Sequence, residues 1–587
     1  MKIAIHVTHE ALYKIGGIGE VINQLCTSPS YLSFFDKTLL YGPLFEYIGS
    51  PSTRLGRDGT VFYSSKDHYD TKNFNQLFKF LLEKYNIDIV YGERKIVNEL
   101  NPKKTSTVEV LLIDITHMNK EVINFFKYLF WENFGLPSDR YEQDWDYEQY
   151  FRIGIPYFEL ISLLYPSAKE FYHFAHEYMG IPSLLSLELN PSFKAQNHKR
   201  IFYAHEVAPV RRIVENLGGS DISFYNILKF GKERGLSLED IFGPQDDWYR
   251  TPLVKLAKRF DKIFAVGDWV VEEYKFLCPD ISQDKIAIVY NATSSDHYSL
   301  EAKLKSQEKI RKNLKNRFGF PEIDLIITHV CRLVKSKGIW RDFILLPYLD
   351  NLFEKNNLYG IYILLSSLVA TGRPPQEVEK MAKEYRWPFE HRVGWPDLIG
   401  YEIEIYKHVK TFNLRSKNIK ALFINQFGLS KGKCPILTED IHTLDLRVGS
   451  DIELGMSIYE PFGIAHIETL PFGGFSIHST SCGVSFFLEK TFENTFKPYF
   501  SLDFISVGKN FSIDSLKNLT EEKRYALEEC YIANNISKIF ERIPKTLKDK
   551  EKFLEEIAKV GHKLNWDYVI ETYFIPQIKS LSLKNNP

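Results

Sequence analysis

The segment DLIITHVCRLVKSKG, residues 324–338, places an apolar run ahead of Arg332 and then sets Lys337 and Gly338 five and six residues further on. A short apolar run that ends in a polar turn reads as a parallel strand buried on both faces. In an open α/β sheet, residues just past the carboxyl end of a strand fall in the ligand crevice. An arginine there binds phosphate oxygens bidentately and a lysine acts as a point charge, so the pair suits a diphosphate. For Lys335 and Lys337 a solvated surface position is the competing reading.

The same pattern recurs on either side. Apolar runs leading into helical periodicity stand at KIAIHV (2–7), EVLLIDI (109–115), RIFYAH (200–205), KIFAVG (262–267) and KIAIVYN (285–291). In the second half they stand at YGIYILLSS (359–367), IKALFIN (419–425), DIELGMS (451–457) and GFSIHS (474–479). Strands alternating with helices predict an α/β protein, each half building its own sheet. A chain of 587 residues is too long for one hydrophobic core, which agrees with two large domains.

Lys and Arg number 74 against 75 Asp and Glu, so nothing in the charge balance calls for nucleic acid or an anionic membrane. An aromatic share of 15% is high, as in proteins that stack on hydroxyl-rich ligands, although aromatic residues more often fill cores. The six cysteines are widely spaced and read as reduced thiols. MKIAIHVTHE has too short an apolar run for a signal peptide, and no membrane span stands out, so a cytoplasmic protein is expected. The charged stretch SLEAKLKSQEKIRKNLKN (299–316) reads either as a solvated helix or as the hinge between domains. Residues 45–150 are irregular enough to carry insertions.

Three further motifs bear on chemistry. KIAIHVTHEALYKIGGIGEVINQL (2–25) predicts a strand, a loop with Gly16 and Gly17, and a helix from about Ile18. Its amides and Lys14 could receive a phosphate, with a plain glycine turn equally open. YEPFGIAHIETLPFGG (459–474) sets Glu460 and Glu468 eight residues apart. With a helix starting near Gly463 and Glu468 on it, the two carboxylates could accept hydrogen bonds from hydroxyls at both ends of one ligand. STSCGV (479–484) is a small-residue turn whose amides could face a pyrophosphate. His6, His9 and His176 read as packing or hydrogen-bonding residues, and Trp566 as a structural anchor.

Taken in order, these motifs resemble those of the glycogen and starch synthases, retaining glucosyltransferases of the GT-B fold. KIGGIGEV (14–21), FAHEYMG (174–180), AHEVAP (204–209), RKNLKNRFGF (311–320) before ITHVCRLVKSKG, YEPFGIAHIE with its E-x7-E spacing, and SCGV (481–484) carry the likeness along most of the chain. WENFGLPSDRYEQDWDYEQYFR (131–152) is similar to that family's acceptor-side insertion.

The resemblance implies two Rossmann-like domains, residues 1–298 and 299–560, facing a central cleft, and a C-terminal helix, 561–587, returning to the first. It implies that Arg332 and Lys337 hold the donor diphosphate, with Lys14, Gly16 and Gly17 closing over it. Glu460 would contact the donor sugar, Glu468 the ribose, His205 the sugar near the reacting centre, and Glu177 the acceptor side. Amides around Gly463 and those of Ser481, Cys482 and Gly483 would line the sugar and phosphate pocket. The partners implied are a nucleotide-sugar donor, ADP- or UDP-glucose, and an α-1,4-glucan or oligosaccharide acceptor. No metal and no cofactor are expected, and the oligomeric state is open, a homo-oligomer included. Glu20, Glu177 and Cys482 depart from the family pattern, and the donor base is undecided. A retaining GT-B transferase or phosphorylase acting on a small sugar, a lipid-linked sugar or phosphate, and a non-catalytic glucan-binding or regulatory protein, are the alternatives.

Overall fold

In the computed structural model each of the ten apolar runs named above contains a strand. The structure describes all residues except 46–49, 51–52, 57, 99–100, 196, 294–298, 320, 431, 435–440, 494, 508–510 and 584–587. The boundary expected at residue 298 falls on that set and lies outside the described residues. The chain divides into two units: Met1–Val210, Arg234–Asn291 and Trp566–Pro587 form the first, and Arg211–Glu233 and Ala292–Asn565 the second.

The first unit is built on strands β1 (Lys2–Val7), β2 (Lys37–Pro43), β3 (Gly59–Ser64), β4 (Tyr69–Asp70), β5 (Asp88–Val97), β6 (Thr105–Asp114), β7 (Glu170–His176), β8 (Asn197–Ala204), β9 (Lys262–Ala265) and β10 (Ile286–Ile288). They form one sheet in the order β10-β9-β8-β7-β1-β2-β6-β5-β3-β4. The run from β10 to β6 is parallel, and β5, β3 and β4 extend it antiparallel. That antiparallel edge comes from the irregular stretch 45–150. Ile3 to Val7 and Phe171 to His176 are buried without alternation, as covering both faces of a sheet requires.

The C-terminal segment belongs to this unit. Trp566 is buried, and Phe574 stacks on Phe174 and meets Phe264 edge-on, each at 5.6 Å between ring centroids. Ser30 donates to Glu571 at 2.6 Å, and Lys104 pairs with Asp567.

The second unit holds β11 (Leu325–Arg332), β12 (Gly360–Ser367), β13 (Ile419–Ile424), β14 (Ile452–Gly455), β15 (Phe475–Ser479) and β16 (Tyr499–Leu502). Its sheet is parallel throughout, in the order β13-β12-β11-β14-β15-β16. The strand sequence runs one way from β11 and the other way from β14, so the topological switch point lies between these two strands.

The charged stretch 299–316 forms most of the helix Leu300–Phe318, capped by Ser299, whose side chain accepts from Ala302 N. One face of it is buried through polar groups: Lys303 donates to Ser450 O at 2.5 Å, and Gln307 to Asp451 at 2.9 Å. The segment Arg211–Glu233 is fixed in the second unit by Arg341, which grips Asp221 through two hydrogen bonds of 2.7 and 3.1 Å and reaches Glu528 at 2.9 Å. Ile222 adds an apolar contact to the same core. Among the described residues no helix is long and apolar enough to cross a membrane.

Candidate functional site

At the switch point Arg332 ends β11 and is exposed. Its guanidinium has no ion-pair or hydrogen-bond partner among the described residues. The chain then makes a single 3-10 turn, Lys335–Lys337, stopped by Gly338 at φ +60°. A Cβ at Gly338 would lie 2.6 Å from Met456 O, so glycine lets this loop close on the end of β14. Ser336 O accepts from Ile458 N at 2.9 Å and Tyr459 N at 3.2 Å, which fastens the two loops together. The fastening brings Lys337 against Glu460 in an ion pair. Arg211 donates to Ser336 Oγ at 2.8 Å and lies 5.0 Å over the Tyr459 ring.

Glu460 is mostly buried. Burial by itself raises a carboxyl pKa, but Lys337, then His466 and Arg211, outweigh it and bring Glu460 down to about 2. It is therefore an ionised, acceptor-only group at neutral pH, suited to hydroxyl donors.

The helix expected from Gly463 is absent. The chain makes two 3-10 turns instead, Ile464–His466 and Leu470–Phe472, so Glu468 sits in a turn between them. Gly463 at φ +103° and Gly473 at φ +73° break the regular helical path, and Pro471 removes a donor. The His466 ring fills the space between: a Cβ at Gly455 would stand 2.3 Å from it, and one at Gly463 2.7 Å. His466 is buried, and its Nδ1 has no partner among the described residues. Glu468 is partly exposed and paired with Arg447 at 2.7 Å, while Arg447 also holds the buried Glu453 at 2.8 Å.

The turn at 479–484 packs against the Glu460 segment. Gly483 N donates to Glu460 O at 2.9 Å, Val484 N to Phe462 O at 2.8 Å, and Cys482 N to Ser479 O at 3.1 Å. The amides of Cys482 and Gly483 are thus engaged inside the protein. A Cβ at Gly483 would lie 1.9 Å from Pro461 O, which explains that glycine. Ser481 Oγ lies 2.9 Å from Asp221 and 3.0 Å from Ser457 O, with one proton to give to either, and Cys482 is fully buried with its thiol pushed up to about 12 by burial.

In the first unit the glycine loop folds around a carboxylate of its own chain. Glu10 accepts from Ile15 N at 2.5 Å and Gly16 N at 2.8 Å, and a Cβ at Gly19 would stand 2.3 Å from it. Lys14 pairs with Glu20, and the helix begins at Gly17, beside open space. Glu177 opens the helix Glu177–Ser186 at φ +60°, a strained value for a residue with a side chain, and accepts from Glu206 N at 2.7 Å. His205 follows β8 directly. It is joined to His176 at 2.9 Å, and His176 to His6 at 2.8 Å.

Arg332, Lys337, Glu460, Gly463, Glu468, Ser481, Cys482 and Gly483 thus belong to the second unit, and Lys14, Gly16, Gly17, Glu177 and His205 to the first. Sequence reasoning overlooked Arg211, His466, Arg447 and Glu10. Arg211 follows the AHEVAP motif by two residues, and His466 lies inside the E-x7-E stretch, so the nearness of each to a recognised motif was the available signal.

No protein-family model matches the chain, and no curated protein matches it. Among solved structures it is similar to an α,α-trehalose-phosphate synthase (UDP-forming) from Burkholderia vietnamiensis, at 11% identity and a TM-score of 0.51, covering 100% of both chains. It is also similar to a UDP-forming trehalose-phosphate synthase from Burkholderia xenovorans, at 12% identity and a TM-score of 0.49, covering 99% of both. The catalytic domain of starch synthase IV from Arabidopsis thaliana, bound to ADP and acarbose, matches at 13% identity and 0.46, covering 94% of this chain and 99% of that one. The first likeness shows a shared fold, the two-sheet α/β fold of the GT-B class.

Proposed function

We propose that this chain is a retaining glycosyltransferase that moves glucose from UDP- or ADP-glucose to the non-reducing end of an α-1,4-glucan. Its chief support is the arrangement at the β11/β14 switch point, where exposed Arg332 lies on the strand leading to the Lys337–Glu460 pair. Arg332 and Lys337 bind the diphosphate and neutralise it as it leaves. Glu460, held ionised, accepts hydrogen bonds from the sugar, and Glu468, shared with Arg447, accepts from the ribose. Gly463, Ser481, Cys482 and Gly483 shape the pocket through their backbone. The proposal keeps the roles expected of Lys14, Gly16 and Gly17 toward phosphate, of His205 toward the sugar, and of Glu177 toward the acceptor.

In the reaction the acceptor hydroxyl oxygen bonds to the anomeric carbon from the face the diphosphate leaves, and the carbon–oxygen bond to the diphosphate breaks. The acceptor proton passes to a diphosphate oxygen. Negative charge grows on the leaving group, so fixed cations lower the barrier where the charge develops.

A second reading has a small phosphorylated sugar as acceptor, and the full-length likeness to a trehalose-phosphate synthase favours it. Incubation of the purified chain with UDP- or ADP-glucose and either glycogen or a hexose phosphate, read by product mass, separates the two. Release of no nucleotide with any pair, beside an active synthase control, rejects both.

A further inference from the structure

Five side chains of the first unit form one hydrogen-bonded line. Thr38 Oγ1 is 3.1 Å from Tyr31 Oη, Tyr31 Oη is 2.8 Å from His6 Nε2, His6 Nδ1 is 2.8 Å from His176 Nε2, and His176 Nδ1 is 2.9 Å from His205 Nε2. The strand register explains the alignment. His6 lies opposite Phe174, two residues before His176, and His176 lies opposite Tyr203, two residues before His205. With a period of two, all three imidazoles stand on one face of the sheet and step diagonally toward its carboxyl edge. The rings of His176 and His205 are stacked at 5.2 Å, and that of Tyr203 backs His205 at 4.8 Å.

Burial makes each of these rings neutral, lowering His6 and His205 to about 3 and holding His176 well below the ordinary imidazole value. A neutral imidazole carries one N–H and one bare nitrogen, so a line of three has only two self-consistent proton arrangements, all pointing one way or all the other. Tyr31 decides between them. A phenolic O–H is a stronger donor than a neutral imidazole N–H, and an imidazole nitrogen is a stronger acceptor than a phenolic oxygen. Tyr31 therefore donates to His6 Nε2, with Thr38 donating to the Tyr31 oxygen. His6 Nδ1–H then donates to His176 Nε2, and His176 Nδ1–H to His205 Nε2. His205, the partly exposed end of the line, is left with its proton on Nδ1.

We infer that Tyr31, His6 and His176 are positioning residues that fix His205 as a neutral Nδ1–H hydrogen-bond donor. This deepens the proposed function and rests on it for the ligand: His205 donates to a hydroxyl or ring oxygen of the reacting glucose and is not a general base. Aligned hydrogen bonds polarise one another, so the donor at the end of the line is stronger than an isolated imidazole N–H.

The same unit carries an internal contrast. Tyr157 Oη contacts His173 at Nδ1, at 2.7 Å, and His173 Nε2 faces His198 at 2.8 Å. The same reasoning gives His173 the opposite tautomer, with its proton on Nε2.

The test is a long-range proton–nitrogen correlation spectrum of the full chain labelled with nitrogen-15 histidine at neutral pH. The expected result is Nδ1–H for His6, His176 and His205 and Nε2–H for His173. An Nε2–H tautomer at His205, or a charged ring at any of the three, overturns the inference. In Tyr31→Phe, with nothing polar facing His6 Nε2, His205 is expected to become a mixture of tautomers and turnover to fall several-fold with the donor KM unchanged. A folded Tyr31→Phe chain with His205 still wholly Nδ1–H also overturns it. Should Tyr31→Phe fail to fold, the wild-type spectrum decides alone. Absence of transfer by the wild type would reject the proposed function and leave the tautomer result standing.

Discussion

Lys337 and Glu460, 123 residues apart in the chain, close an ion pair that joins the loop after β11 to the loop after β14. Both loops begin at the carboxyl ends of adjacent strands, so the pair stands where a parallel sheet reverses its strand order.

The pair gives a pH dependence of known sign. Glu460 has its folded pKa lowered from 4.5 to about 2, so its contribution to stability is present above the ordinary carboxylate pKa and is lost as pH falls through about 2. Between these limits the wild type should lose up to about 3 kcal/mol that Glu460→Gln does not lose. Chemical denaturation at a series of pH values measures the difference, and parallel curves for the two proteins would contradict the assignment.

Arg332 is exposed and makes no ion pair among the described residues, so removing it should leave the fold intact. Arg332→Ala is expected to melt within about 2 °C of the wild type, as surface changes do, while donor turnover falls by about 100-fold or more. Differential scanning calorimetry and nucleotide-release kinetics on one preparation give both numbers.

The glycines separate into structural and open positions. Gly483→Ala forces a methyl to within 1.9 Å of Pro461 O and should cost roughly 2–4 kcal/mol. Gly17→Ala meets nothing within 4 Å at the first position of a helix. It should be neutral or stabilise by about 0.4–1 kcal/mol. Urea unfolding midpoints distinguish the two.

Arg341 is wholly buried between Asp221 and Glu528. Arg341→Leu leaves the buried Asp221 without its cation and Glu528 to the longer pair with Arg524 at 3.6 Å, and should destabilise the second unit by about 3–5 kcal/mol. Lys383→Ala breaks only an exposed pair with Glu379 and should change stability by less than about 0.5 kcal/mol. Thermal melts of both proteins test the contrast.

Much of the fold was legible because a parallel sheet writes itself as apolar runs: β1 and β11 match the runs read from sequence to within a residue or two. The antiparallel edge β3-β5 was harder, since Gly59–Ser64 mixes exposed and buried positions without a strict period. The excursion of residues 211–233 into the second unit has no local signature; it depends on long-range partners such as Arg341 with Asp221, Ser223 with Leu516 O and Asn226 with Ile505 O. At the site, Arg332, Lys337 and Glu460 could be read because each sits at a strand end or beside a glycine. The helix expected at Gly463 is broken by the positive φ of Gly463 and Gly473 and by Pro471, and the packing of His466 against Gly455 is a tertiary contact that no spacing rule encodes. Glu10 and Arg211 act through backbone amides and a ring face, so their importance appears only once the loops are folded.

The central claim is that the second unit binds a glucose carried on a nucleoside diphosphate through Arg332, Lys337 and Glu460. Its most direct test is isothermal titration of UDP-glucose and ADP-glucose into the wild-type chain and into Lys337→Ala and Glu460→Gln. One donor should bind the wild type, with affinity lowered at least about tenfold in each variant, since a charge-assisted contact is worth about 1.5–3 kcal/mol. Equal affinity in all three proteins, or no binding of either donor to the wild type, would contradict the account.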